Sequence, residues 1–395
     1  MSKRLVLGLG GTVDYEIAWD PGVLEQLVVE LGITSAELDA WAPIASERDL
    51  LRSLLAFVRD GVGGERFVAS SDIVEAFAAR FDVRITLGGT CVRAAIAMDT
   101  LGVPAMVHLV SIDDHVRRLL PASTTYLCSA PADTTDPHLI VQFPAGSRVS
   151  AGDVDVVAAH PNRIIYVNDP PNRELVLDEG LGAELASADV FLVSGFNVIQ
   201  DEATLEARLA TLRAHMAHLP PDALVYFEDA GYHVPKLRLL VRDRLLDLVD
   251  VYAMNEDELA LWLDRPVDLL DPADVATALR DLHAELPART LVVHTKHWSL
   301  AYGADAAAYR DALRGGIVMA STRYVRGDGF TAMDYWATAA REPGADGVAF
   351  AAAIEQRLPD EVACVPAFVL DVDRPTTIGL GDTFVGGFLA ALATA

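Results

Sequence analysis

The sequence predicts an α/β protein: a three-layer large domain with a mostly parallel central sheet, plus a smaller, discontinuous, β-rich lid. Three observations predict it. From about residue 163 onward, short uninterrupted apolar runs alternate with helical stretches. Strands that are apolar throughout are covered on both faces, as parallel sheets require. Polar residues recur at the carboxyl ends of these runs, where open α/β sheets bind ligands. The two-strand pieces of the first half fit no such alternation and are assigned to the lid.

In chain order, Arg4 to Gly8 reads as a buried strand running into Gly10-Gly11-Thr12-Val13-Asp14, and Tyr15 to Trp19 as a half-exposed strand. Glu25 to Leu31 and Glu47 to Asp60 carry helical periodicity. The turn Gly61 to Arg66 carries Glu65, and Asp72 to Phe81 follows as a helix. Arg84 to Leu87 leads into Gly88-Gly89-Thr90 and a small-residue helix from Cys91 to Leu101. Pro104 to Val110 is a strand; Thr124 to Cys128 and His138 to Phe143 are expected to pair antiparallel. Further strands end at Asn168-Asp169, Ser194 to Asn197, Glu228-Asp229, Asn255 to Glu258 and His294 to Lys296, with helices over Glu202 to Leu219 and within Pro272 to Glu285. Trp298 to Tyr302 is a hairpin partner, and Ala337 to Ala345 a surface loop. The expected division is a large domain of residues 1–12, 84–121 and 167–395 and a lid of residues 13–83 and 122–166. One crevice is expected, lined by Asp14, Asn197, Glu228, Asn255, Glu258, His294 and Asp382.

Composition narrows the function. The net charge of −26 argues against nonspecific nucleic-acid binding. Lysine occurs only at positions 3, 236 and 296, so an anionic ligand must be met by arginine, backbone N–H groups or a metal ion. The three cysteines, Cys91, Cys128 and Cys364, fit neither a zinc site nor a disulfide frame. No apolar run is long enough to span a membrane. Met1-Ser2-Lys3-Arg4 starts like a signal peptide, but the short apolar run ends in glycines, so a buried first strand and a cytoplasmic location are expected.

The most informative stretch is Pro375 to Phe384. An apolar run from Ala367 to Val372 precedes it and another from Val385 to Ala393 follows, which reads as strand, glycine turn and helix. The free N–H groups of a helix N-terminus attract anions, and Gly379 and Gly381 permit positive φ and close approach of a phosphate. Asp382 lies in the first helical turn, where a carboxylate can act as base on a hydroxyl while the N–H groups hold phosphate charge. The same residues also describe an ordinary glycine turn with an Asp cap.

Taken together, Gly379-Leu380-Gly381-Asp382-Thr383, Asn255-Glu256-Asp257-Glu258 and Phe227-Glu228 resemble the GxGD, NxxE and HxE-like segments of the ADP-dependent sugar kinases, glucokinases and phosphofructokinases with a ribokinase-like fold. Asn162-Arg163, Ser194-Gly195-Phe196 and His294-Thr295 add weaker points of likeness. The resemblance implies phosphoryl transfer from ADP to a sugar hydroxyl, with AMP as product. It makes Asp382 the base and the N–H groups of Gly379, Leu380, Gly381 and Asp382 the phosphate cradle. Glu228 and Glu258 would act through water on Mg²⁺, with Asn255 orienting them. Asn197, His294 and Thr295 would serve the nucleotide.

On the sugar side, Asp14 matches the family's sugar-binding carboxylate and Gly88-Gly89 its glycine pair. Thr90 stands where the family usually has an amide, and Gly11-Thr12-Val13 where it has an Asn-rich turn. Glu65 resembles the glutamate of glucose-using members, whereas Arg163, Arg148 and Arg66 could hold a sugar phosphate. Glucose is favoured over fructose 6-phosphate. Two alternatives remain open at this point: an ATP-dependent ribokinase-like kinase of another sugar or nucleoside, and a binding protein without catalysis.

Overall fold

The computed structural model describes residues 3–372 and 376–394. Met1, Ser2 and Pro375, used in the sequence reading, lie outside the described residues. The larger sheet runs in the order Val362–Pro366, Trp298–Gly303, Thr290–His294, Val251–Asn255, Leu224–Glu228, Val190–Val193, Leu5–Leu7, Met106–Leu109, Thr125–Cys128. Its strands pair in parallel, except that Trp298–Gly303 runs antiparallel to both neighbours.

The layering follows from period-2 alternation along wholly apolar strands. Phe191, Val193, Val225, Phe227, Tyr252, Met254, Leu291 and Val293 point into one core, against helices such as Glu202–Met216 and Pro272–Glu285. Val190, Leu192, Tyr226, Val251, Ala253 and Val292 point into the other. There they meet the helices Thr90–Asp99, Arg310–Arg326 and Leu380–Thr394. Helix Arg310–Arg326, for which the sequence reading gave no element, carries Gly315-Gly316 where it crosses the C-terminal helix. A Cβ at Gly315 would lie 2.6 Å from the Gly387 carbonyl oxygen. Those glycines look like a turn in sequence but allow two backbones to touch.

The smaller sheet has the order Gly64–Phe67, Asn162–Val167, His138–Phe143, Thr12–Ile17, Val83–Gly88. Helices Pro21–Glu30, Glu47–Asp60 and Ser71–Ala78 cover it, with a third core between. Several expectations need correction. Thr125–Cys128 does not pair with His138–Phe143; it extends the large sheet in parallel beside Met106–Leu109. The antiparallel partner of His138–Phe143 is Asn162–Val167, so that strand belongs to the small sheet and not to the parallel run. Val83–Gly88, assigned from residue 84 to the large domain, pairs antiparallel with Thr12–Ile17 in the small sheet. Its alternation of Arg84, Ile85, Thr86 and Leu87 suits a half-buried strand. Before the glycine turn, the strand is Val362–Pro366, and of residues 367–372 only Phe368 makes a bridge, to Pro343. Helices Ala332–Ala339 and Ala345–Arg357 take the two ends of the expected 337–345 loop, and residues 340–344 join them. Among the described residues no helix is long and apolar enough to cross a membrane.

Candidate active site

A cavity of about 320 Å³ lies between the two sheets, against the C-terminal glycine turn. Gly379 has φ +63°, and a Cβ there would meet the Arg93 side chain at 2.6 Å. Leu380 opens the helix Leu380–Thr394, which places Gly381 and Asp382 in its first turn with N–H groups free of intrahelical partners. Asp382 lines the cavity. Its Oδ1 accepts a hydrogen bond from the Thr90 hydroxyl at 2.8 Å.

Thr90 is presented by the second glycine turn. Gly89 has φ +86° and caps the helix Thr90–Asp99. Gly88 lies so close to the first turn that a Cβ would fall 2.2 Å from the Thr12 hydroxyl and 2.5 Å from Asp14. Asp14, on Thr12–Ile17, accepts from Thr12 Oγ1 at 2.7 Å and from Arg93 Nη2 at 2.8 Å. Arg93 Nε stands 3.9 Å from Asp382 Oδ2. Burial works against the Arg93 charge, but Asp14 and Asp382 outweigh it and hold the guanidinium protonated. The sequence reading missed Arg93. Its signal was a lone charge inside a small-residue helix, a place where arginine is buried only when paired.

The cavity wall also contains Glu65, Arg163, Asn197 and, unforeseen from sequence, His138, Asp169, Asn172, Arg173 and His233. Asn172 donates to the Gly11 carbonyl at 2.8 Å and accepts from the Gly11 N–H at 3.3 Å, fastening the first turn. Asp169 caps Asn172 and lies 3.0 Å from His138 Nε2. Glu65 Oε1 is 3.2 Å from His233 Nε2. Burial pushes the Glu65 carboxyl up, but His233, His138 and Arg163 together hold it below its usual range. Among the described residues, Arg163 and Arg173 have no ion pair.

Arg148 and Arg66 lie elsewhere. Arg148 pairs with Asp155 across a two-stranded ribbon, and Arg66 bonds the Trp41 and Ala42 carbonyls.

The expected single crevice is in fact two adjoining groups. Asp14, Asn197 and Asp382 line the cavity, where the Asn197 carbonyl accepts the His233 backbone N–H. Glu228, Asn255, Glu258 and His294 lie at the carboxyl ends of three neighbouring strands or just beyond. His294 Nε2 is 2.8 Å from Glu228 Oε1. Its ring stacks on Phe384 at 4.5 Å, directly under the glycine turn. Asn255 caps the helix Glu256–Leu263, and Glu258 Oε2 accepts the Asn255 N–H at 2.9 Å in a capping box. Thr295 spends its hydroxyl on the hairpin, bonding Trp298 in both directions. Trp298 is core, stacked on Phe350.

Burial lifts the Glu258 carboxyl to about 7, with Glu228 adding to the rise. Burial and the Asp382 charge also raise Glu228, against the pull of His294. Two buried carboxylates that resist ionisation suit a nearby cation, which would relieve both. Among the described residues, no three His, Cys, Asp or Glu are grouped to grip a metal directly. Carboxylate oxygens such as those of Glu228 and Glu258 suit a hydrated, oxygen-preferring ion held through water.

A doubly covered sheet, a glycine turn with a carboxylate in the first helical turn, and a cavity roofed by a second sheet define a small-molecule kinase of the ribokinase-like fold. The family model described as the ADP-specific phosphofructokinase/glucokinase conserved region matches residues 3–322. The chain belongs to that family of sugar kinases, which transfer a phosphoryl group to a sugar hydroxyl; the C-terminal turn lies beyond the matched residues. No curated protein matches the chain. Among solved structures, it is similar to a hypothetical ADP-dependent phosphofructokinase from Pyrococcus horikoshii OT3, at 17% identity, TM-score 0.83, covering 100% of this chain and 98% of that one. An ADP-dependent kinase complexed with fructose-6-phosphate and ADPβS is similar at 16% identity and TM-score 0.71, covering 99% and 94%. Adenosine kinase from Sinorhizobium meliloti is similar at 15% identity and TM-score 0.52, covering 100% and 88%. At these identities the structural likeness speaks for the fold.

Proposed function

We propose that this enzyme transfers the β-phosphoryl group of ADP to a hydroxyl of glucose, releasing AMP, with Asp382 as the base. The observation that carries the reading is Asp382 itself. It faces the cavity from a helix N-terminus, with one oxygen held by Thr90 and the other beside Arg93. The sugar oxygen attacks the β-phosphorus, the bond to AMP breaks, and the hydroxyl proton passes to Asp382. The N–H groups of Gly379 to Asp382 hold the charge on the phosphoryl oxygens. Asp14, Asn172 and the turn Gly88-Gly89 orient the sugar. Glu228 and Glu258, set by Asn255 and His294, would hold hydrated Mg²⁺, which neutralises phosphate charge when bound. The small sheet serves as a lid that keeps water from the phosphoryl group. The cytoplasm, which supplies ADP, is the proposed location.

Glu65 favours glucose, because a carboxylate accepts from neutral hydroxyls and repels a phosphate. A second reading, fructose 6-phosphate, is favoured by Arg163 and Arg173 on the same wall. Assaying glucose and fructose 6-phosphate with ADP and with ATP in the presence of Mg²⁺ tests donor and acceptor together. Turnover with ADP and glucose is expected to lead; no turnover with any pair removes the reading.

A further inference from the structure

The cavity wall presents opposed charges to whatever sugar it holds. Arg163 and Arg173 are cationic, and among the described residues neither is ion-paired. Glu65 is anionic and lies on the strand Gly64–Phe67, which pairs in register with Asn162–Val167, the strand of Arg163. An exposed Glu65 carboxylate would cancel much of the attraction the arginines offer a phosphate. That carboxylate is not left bare.

His233, from the loop after the strand Leu224–Glu228, crosses from the large sheet to the small one and puts Nε2 3.2 Å from Glu65 Oε1. Its ring packs edge-on against Phe67 at 4.9 Å, and its backbone N–H donates to the Asn197 carbonyl at 3.1 Å. Nδ1 is buried with no partner among the described residues, and the polar contact this ring makes there is to Glu65. The ring is thus fixed on both faces of the cleft.

We infer that His233 is the specificity-determining partner of Glu65, masking its charge so that the cavity accepts a phosphorylated sugar as well as a neutral one. The inference rests on the sugar-kinase reading above. Glu65 keeps a second oxygen for a neutral hydroxyl, while the oxygen bonded to His233 presents less charge to a phosphate near Arg163 and Arg173. Removing the imidazole leaves a bare carboxylate, which affects a dianionic acceptor far more than a neutral one.

The test is kcat/KM for glucose and for fructose 6-phosphate, with ADP and Mg²⁺, in wild type, His233→Ala and His233→Gln. The amide of Gln can replace the Nε2 donor. For His233→Ala the expected outcome is a fall of tenfold or more for fructose 6-phosphate, about one 1.4 kcal/mol step. The fall for glucose should be under about threefold, and His233→Gln should recover most of the lost ratio. An unchanged ratio, or equal losses that Gln does not repair, overturns the inference. Should His233→Ala fail to fold, His233→Leu, which fills the same space without a donor, takes its place: a fall confined to fructose 6-phosphate supports the inference and an unchanged ratio overturns it. A wild-type enzyme that phosphorylates neither sugar refutes the sugar-kinase reading instead, a distinguishable result.

Discussion

Arg93 donates from Nη2 to Asp14 Oδ2 at 2.8 Å, with both side chains almost wholly buried, in the floor between the two glycine turns. The same guanidinium reaches toward Asp382, so one cation ties the Asp14 carboxylate to the carboxylate of the C-terminal turn. A buried charge that loses its partner is costly, whereas the intact pair roughly balances its own desolvation.

Arg93→Met is therefore expected to destabilise the fold by about 3–5 kcal/mol and to abolish turnover. Urea denaturation with the linear-extrapolation slope held fixed measures the first effect. A loss under about 1 kcal/mol would show that Asp14 and Asp382 do not depend on this cation.

Asn172 joins the first glycine turn to the loop that carries Asp169 and bonds Gly11 through both its amide atoms. Asn172→Ala leaves Gly11 groups unsatisfied in a buried place, with an expected cost of about 1–3 kcal/mol. Because Gly11 and Thr12 support Asp14, KM for the sugar should rise while nucleotide binding stays near wild type. Calorimetric titration with AMP and steady-state kinetics separate the two.

His108 gives the fold a pH dependence of known sign. It is fully buried in the strand Met106–Leu109 and accepts the Asp178 N–H at 2.9 Å, so it folds neutral. Burial pushes its pKa down to about 4, from an ordinary 6.5. The unfolded chain then binds more protons between those values, so stability is present above 6.5 and is lost as pH falls toward 4. The shift corresponds to something on the order of 3 kcal/mol. His108→Gln keeps an acceptor without the titration. Its unfolding free energy should fall less than that of wild type between pH 7 and pH 4.5; parallel curves would contradict this.

Much of the large sheet was legible in the sequence because its strands are apolar throughout and end in polar residues, as at Phe227-Glu228 and Val293-His294. The small sheet was not. Its strands come from distant segments, and the pairing of Val83–Gly88 with Thr12–Ile17 or of Asn162–Val167 with His138–Phe143 leaves no local mark. Of the candidate site, Asp14, Thr90 and Asp382 were singled out in the sequence by the glycine turns beside them, and they line one cavity. Arg93, Asn172 and His233 escaped because their importance lies in what they touch across the chain. Thr295 was picked out because it follows His294 in sequence; in the fold its hydroxyl closes a hairpin.

In the proposed reaction Asp382 removes the proton from the attacking sugar hydroxyl. Asp382→Asn keeps the shape and an acceptor for Thr90 but cannot take up that proton. Single-turnover formation of sugar phosphate from ADP is the most direct measurement. The expected rate is about 10²–10⁴-fold below wild type, the usual share of a general base, with AMP binding unchanged. A variant that turns over within a few-fold of wild type contradicts it.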